Sequence, residues 1–385
     1  SGVEVDLLYG VYEAQDVITR AARIRNCGNE AVYLEKAASA CLDLPFGDWD
    51  RIHFHGRHAM ERTPERSRVD HGIMTVSSER GTSGHQHNPF VILCDREANE
   101  DYGSCYGVML CYSGNHQTET ERDQSGSVRV VSGIGERLFR WKLEPGETFE
   151  TPEVFLCYSE CGLTALSRRL HRFINDKLCR SVWKDRRRPI LLNSWEANYF
   201  DFDEESLLCL ARRAKDLGVD MLVLDDGWFG ERDNDRCSLG DWDVNTKKLP
   251  NGLTGLIDKV NAIGLRFGLW IEPEMVSEGT ELIMRHPDWV LRVPGRDPAV
   301  SRDQFVLDLS REEVTEHLYR VISTLLRENR IDYIKWDMNR SLSDLYSHSL
   351  PSERQGEISH RYMLGLYSLI ERLTAEFPEV LFEGC

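Results

Sequence analysis

Two different periods run along the chain. Up to about residue 160, short apolar runs are broken by turn residues: Val91-Ile92-Leu93-Cys94, Cys105-Tyr106-Gly107-Val108-Met109-Leu110, Val128-Arg129-Val130-Val131. Leu138-Phe139-Arg140-Trp141-Lys142-Leu143 alternates ahead of the turn signal Glu144-Pro145-Gly146-Glu147. Strand-sized pieces without long helical stretches predict an antiparallel β-sandwich over 1–162. A helical stretch from about 164 to 178 and the basic run Arg186-Arg187-Arg188 before Pro189 then make a linker over 163–188.

From Pro189 the pattern becomes strand, helix, strand, helix. Apolar strand cores stand at 190–193, 221–224, 267–271, 305–309, 333–336 and 380–382. Between them, Leu207, Leu210, Ala214 and Leu217 define one helical face ended by Gly218. Ser310 and Glu313 read as a capping box, and Ser352 and Gln355 open a helix that runs to Phe377-Pro378. Apolar strands each followed by a helix predict a parallel sheet buried on both faces. Polar residues at every strand's C-terminal end favour a (β/α)8 barrel over an open sheet, and no glycine-rich phosphate loop follows any strand. Residues 189–385 fall short of the roughly 250 that eight units need, so six βα units are expected here.

Composition narrows the function. A 41 % hydrophobic, 29 % charged chain of 385 residues is that of a globular protein, and no run of apolar residues is long enough for a membrane span. With 64 acidic against 47 basic residues the net charge is −17, which disfavours nucleic acid and anionic membranes and suits a neutral ligand. Eleven scattered cysteines, never in a C-x-x-C pair, fit reduced thiols, and the first residues lack a signal peptide's pattern. A cytoplasmic location is the expectation.

The strand ends collect the chemistry. Trp195-Glu196-Ala197-Asn198 follows the first strand, Asp225-Asp226-Gly227-Trp228 the second and Trp270-Ile271-Glu272-Pro273-Glu274 the third. Arg302 precedes the fourth, which ends in Asp308; the fifth gives Lys335, Asp337 and Asn339, and the sixth Cys385. Tryptophan walls and paired carboxylates suit a sugar, the rings packing on C–H faces and the acids gripping neighbouring hydroxyls. Asp225-Asp226 fits two adjacent hydroxyls. Asp337 fits attack on an anomeric carbon, with Lys335 on the same side of the strand keeping it ionised. Glu272 reads as a loop brace, and Trp228 and Trp270 could equally fill core. Asp225, Glu272, Asp308 and Asp337 around a Mg²⁺ is the competing arrangement, as is a sugar-binding fragment without catalysis. His53, His55 and His58, with His85 and His87, lack carboxylate or cysteine partners at metal spacing and read as polar loop or subunit contact. No metal and no cofactor is expected.

Asp225-Asp226-Gly227-Trp228, Trp270-Ile271-Glu272-Pro273-Glu274-Met275 and Lys335-Trp336-Asp337-Met338-Asn339-Arg340 resemble glycoside hydrolase family 36, the microbial α-galactosidases, as does Gly81-Thr82-Ser83-Gly84-His85-Gln86-His87-Asn88-Pro89-Phe90. The resemblance implies an N-terminal β-supersandwich, here incomplete at its start, then a central barrel, incomplete at its end, and no C-terminal β-domain. It implies a retaining α-galactosidase acting on melibiose, raffinose and stachyose, with Asp337 the nucleophile and two carboxyl groups about 5–5.5 Å apart. Asp225 and Asp226 would hold the hydroxyls at C4 and C6 of galactose, and Trp195, Trp270, Arg302, Lys335 and Asn339 would line the same subsite. Cys385 would open a Cys-x-x-Gly motif at the C2 hydroxyl. The family's acid/base aspartate lies beyond that cysteine, so this chain is expected to turn over natural galactosides poorly. An α-N-acetylgalactosaminidase or a galactosyl transferase shares the fold, and homotetramers are the family's expected assembly.

Overall fold

In the computed structural model, which describes residues 2–385, one unit comprises the chain up to Cys179 with Pro351–His360, and a second comprises Arg180–Leu350 with Arg361–Cys385. The first unit is antiparallel β. Its larger sheet runs Val3–Tyr12, Val17–Asn26, Val154–Ser159, Cys105–Leu110, His87–Asp95, Trp49–Arg57, Met60–Arg68, with Thr148–Glu150 also on Val17–Asn26. A second sheet orders Ala38–Leu44, Val128–Ile134, His116–Arg122 and Gly72–Ser78. The helix Gly162–Phe173 packs Leu166, Leu170 and Phe173 against Val17, Ile92 and Phe155, so residues assigned to a linker by sequence contribute to a core. Of the alternating stretch 138–143 only Trp141–Leu143 is a strand, because Leu138 sits exposed in the left-handed region (φ 64°). His53 and His55 project from one strand toward Glu65 on the next, 3.8 and 3.5 Å away.

The second unit is built on a parallel sheet ordered Leu191–Asn193, Met221–Leu224, Arg266–Ile271, Tyr333–Trp336, Leu381–Gly384. Five of the six expected strands are there. The sixth, at 305–309, is a correction: Gln304–Val306 pairs antiparallel with Met275–Ser277 instead. Its remaining polar groups go to loop backbone, Leu307 N–H to Glu274 O and Asp308 N–H to Trp289 O, so the segment is satisfied outside the parallel sheet. Tyr333–Trp336 therefore pairs directly with Arg266–Ile271, and Asp337 follows the fourth strand of the sheet, not the fifth.

Helix details shift in the same way. Leu207, Leu208, Ala211 and Ala214 are buried on the helix Glu204–Asp216, while Leu217 is 84 % exposed just before Gly218 (φ 84°). That helix carries a capping box between Asp203 and Ser206. The box expected at Ser310 does not form. Ser310 donates to Asp308, and the helix Glu312–Glu328 begins without a side-chain cap.

Side chains alternate across each strand, so every second residue of the sheet shares one face. Leu191, Met221, Val223, Tyr333 and Leu381 form an apolar floor on that face. The next residues up are Asn193, Asp225, Trp270, Lys335 and Glu383, and beyond them stand Glu272, Asp337 and Cys385. Gly268 lies in this floor because a Cβ there would meet Tyr333 Cδ1 at 2.7 Å and Val223 Cγ2 at 3.0 Å. Gly268→Ala is expected to destabilise the second unit by about 1–3 kcal/mol, since overpacking outweighs the few tenths that losing a strand glycine returns. Urea unfolding followed by tryptophan fluorescence measures it, and an unchanged midpoint would remove the floor from the account.

Candidate active site

The two aspartates after Met221–Leu224 are held differently. Asp226 receives both Nε and Nη2 of Arg232, at 2.9 and 2.8 Å, a bidentate pair with side chains 8 % and 1 % exposed. Burial pushes the Asp226 carboxyl up, and the guanidinium pulls it back. Asp225 accepts from Lys335 Nζ at 2.9 Å and Asn193 Nδ2 at 2.5 Å through Oδ2, while Oδ1 takes the Asp226 N–H at 3.0 Å. Burial pulls the Lys335 ammonium down, but the Asp225 carboxylate more than reverses this and raises it. The lysine expected to serve Asp337 is thus bonded to Asp225.

Asp337 is buried among N–H donors. Trp270 Nε1 at 3.0 Å and Asn339 Nδ2 at 2.7 Å both reach Oδ2, and the Met338 N–H reaches Oδ1 at 2.9 Å. Each carboxylate oxygen accepts about two hydrogen bonds. Oδ2 is therefore filled, Oδ1 accepts the Met338 N–H, and the Cys385 thiol lies within hydrogen-bonding reach of the same carboxylate. Trp270 is itself buried, stacked parallel to Phe229 at 6.3 Å, and Trp228 donates to its carbonyl. Trp270 thus fills core and orients Asp337 at once, whereas Trp228 is core alone.

Glu272 and Glu274 follow on the same loop, both fully enclosed. Glu272 accepts the Asn339 N–H at 2.7 Å and Gln304 Nε2 at 3.0 Å. Glu274 accepts Trp336 Nε1 at 2.9 Å and the Tyr362 hydroxyl at 2.6 Å. Cys385 is exposed as a residue, but partial desolvation and the Asp337 charge push its thiol up to about 11, with Lys335 pulling the other way.

Two expected residues stand apart. Trp195 is half-buried, edge-on to Tyr199 and Phe200 at 5.2 and 5.0 Å, with its N–H on Asn193 Oδ1. Arg302 is exposed in the tight turn Ser301 to Gln304, where it and Asp303 are both left-handed (φ 53° and 54°). Among the described residues no hydrogen bond or ion pair ties Arg302 to the Asp337 cluster. Asp308 is also elsewhere, held by Ser310 and Ser347. The four-carboxylate Mg²⁺ arrangement is not assembled, and no group of three His, Cys, Asp or Glu side chains among the described residues forms a metal set.

Three contributors escaped the sequence. Asn193 bridges Asp225 and the Trp195 backbone, and its place two residues after Leu191 on the inward face was the available signal. Arg232 lies in a charged loop with nothing to mark it. Lys248 donates to the carbonyls of Phe200, Gly227 and Arg232 at 2.9–3.1 Å, fastening the loops after the first two strands, and only the fold brings those carbonyls together.

The glycosyl hydrolase family 36 N-terminal domain model matches residues 1–144 and the melibiase model matches 148–385. The chain belongs to glycoside hydrolase family 36. It is 50 % identical over its whole length to alpha-galactosidase Mel36A of Lactobacillus acidophilus, covering 53 % of that protein. It is likewise 50 % identical to the crystal structure of alpha-galactosidase AgaA from Geobacillus stearothermophilus, with a TM-score of 0.98 over all of this chain and 53 % of that one. Variants of AgaA have been crystallised in complex with raffinose and with stachyose. The chain spans about half the length of these family 36 relatives.

Breaking the Asp226–Arg232 pair is the direct test of the site's stability. Arg232→Met leaves a buried carboxylate alone and is expected to cost about 3–5 kcal/mol, much of which Asp226→Asn in the same chain restores. A double-mutant cycle by urea denaturation measures the coupling, and additive losses would mean the pair is not a unit.

Proposed function

We propose that this chain carries the galactose-binding, nucleophile-bearing part of a retaining α-galactosidase acting on terminal α-1,6-linked galactose of the melibiose, raffinose and stachyose type. The observation that carries this reading is Asp337: a buried carboxylate at a strand's C-terminal end, held by two donors on one oxygen and a backbone N–H on the other, beside Asp225–Lys335 and near Asp226–Arg232. In the proposed reaction Oδ1 attacks the anomeric carbon, the C1–O bond breaks and its electron pair leaves on the aglycone oxygen. A β-linked galactosyl ester on Asp337 forms, which water then hydrolyses with net retention.

Asp225 and Asp226 still have unused lone pairs and accept from two neighbouring hydroxyls, while Lys335 and Asn339 donate to hydroxyl oxygens. Trp195 and Arg302 are proposed as walls of the same subsite and Cys385 as the contact to the C2 hydroxyl, as the family resemblance implies. The proton for the leaving oxygen is assigned to the family's aspartate after the Cys385 motif, as the family resemblance implies. The complexes of AgaA with raffinose and stachyose support the substrate class. Eleven free cysteines support a reducing, cytoplasmic setting, and a homotetramer is proposed from the family alone.

A nitrophenyl α-galactoside separates nucleophile from acid, because nitrophenolate leaves without a proton. The chain is expected to release nitrophenol and to lose that release by ~100-fold or more in Asp337→Ala. A 2-deoxy-2-fluoro-galactosyl fluoride is expected to label the peptide holding Asp337. Labelling of a different carboxylate would overturn the assignment.

A further inference from the structure

No cation is hydrogen-bonded to Glu272. Its side chain is fully enclosed, one step beyond Trp270 on the inward face. Both its hydrogen-bond donors are neutral, the Asn339 N–H on Oε1 and the Gln304 amide on Oε2. The charged groups that act on it are Asp337, which is repulsive, and Arg232, whose guanidinium is already spanned by Asp226. Two neutral donors do not replace the hydration a carboxylate loses on complete burial. Burial, with Asp337 acting the same way, pushes the Glu272 carboxyl up to about 7, against the pull of the Asn339 hydrogen bonds and Arg232.

Two contacts connect that carboxyl to the chemistry. Asn339 gives its backbone N–H to Glu272 and its side-chain Nδ2 to Asp337 Oδ2, so one residue is shared between the two acids. Gln304 Oε1 is buried without a partner. Half a turn of that amide would bring Oε1 to a Glu272 O–H, so the Glu272–Gln304 pair has a hydrogen-bonded arrangement for each protonation state.

We propose that Glu272 is a proton-holding positioning residue, which keeps its proton while Asp337 is a free carboxylate and releases it when Asp337 is neutralised as a glycosyl ester. The proposal rests on the reading of Asp337 as nucleophile. When the Asp337 Oδ1–C1 bond forms and the aglycone leaves with its electron pair and a proton from the general acid, Asp337 loses its negative charge. The repulsion across Asn339 disappears, the Glu272 O–H proton passes to water, and a carboxylate remains beneath the ester. Hydrolysis of the ester restores the Asp337 charge, and Glu272 takes up a proton again. With a midpoint shift of about one pH unit, roughly half a proton at most is thus released on glycosylation and recovered on deglycosylation, in addition to those of the acid/base cycle.

The test is carbon NMR of the 385-residue chain labelled at the glutamate δ-carbon. The glutamate resonance missing in Glu272→Gln is expected to titrate near neutral pH, and to have its midpoint lowered by about one pH unit in Asp337→Asn. If that resonance titrates below about pH 5.5, or if its midpoint stays put in Asp337→Asn, the proposal is wrong. Should Asp337→Asn not fold, the same movement is read in wild-type protein carrying the 2-fluoro-galactosyl label. The Asp337→Asn titration needs neither turnover nor labelling, so its failure is distinct from failure to label Asp337. Stability gives an independent readout. Between about pH 4.5 and 7 the folded chain binds the extra proton, so its stability falls as pH rises through that window. Glu272→Gln lacks this slope, and parallel pH profiles of the two unfolding midpoints would overturn the proposal as well.

Discussion

The parallel register between Arg266–Ile271 and Tyr333–Trp336 is the constraint from which the site follows. It sets Trp270 opposite Lys335 and Ile271 opposite Trp336, and continues in the Asp337 N–H bonding to Ile271 O. Because strand side chains alternate, that single alignment places Trp270, Glu272, Lys335 and Asp337 all on the inward face. A slip of one residue would turn the nucleophile toward the helices and leave Tyr333 outside its floor. Gly268 secures the alignment by leaving room for the Tyr333 ring, and Trp270 secures it from above through its indole N–H on Asp337.

Much of this was legible from the chain, for a physical reason. A short continuous apolar run followed by polar residues marks where a buried strand ends, and four of the five sheet strands end in the motifs that drew attention. The failure at 305–309 is equally instructive. Its apolar run satisfies burial, but burial alone does not choose a pairing partner, and Met275–Ser277 supplied one nearer in the chain. The misread helix face has a similar origin: Leu210 and Leu217 fit the period, yet packing uses Leu208 and Ala211, and Leu217 falls at the exposed helix end.

What the sequence could not disclose was which charge meets which. Lys335 and Asp337 lie two apart on one strand, and that proximity suggested a pair. Across the sheet, Asp225 lies close enough to take the lysine instead, and a carboxylate–ammonium bond at 2.9 Å outcompetes a longer contact along the strand. Arg232 and Lys248 belong to the same class of hidden residue, since long cationic side chains from loops reach partners that no local spacing predicts.

Four of the acids in this small region differ in electrostatic environment. Asp226 has a planar guanidinium, Asp225 a lysine, Asp337 three N–H groups, and Glu272 two neutral donors and a repulsive neighbour. Those differences separate their duties. Acids fixed by cations suit binding of hydroxyls. An acid held only by neutral donors, as Asp337 is, can form a bond without breaking an ion pair. An enclosed acid with neutral donors and a repulsive neighbour, as Glu272 is, is suited to exchange a proton. Distinct roles for chemically similar side chains therefore need no special residue types, only a fold that assigns each carboxyl its own partners.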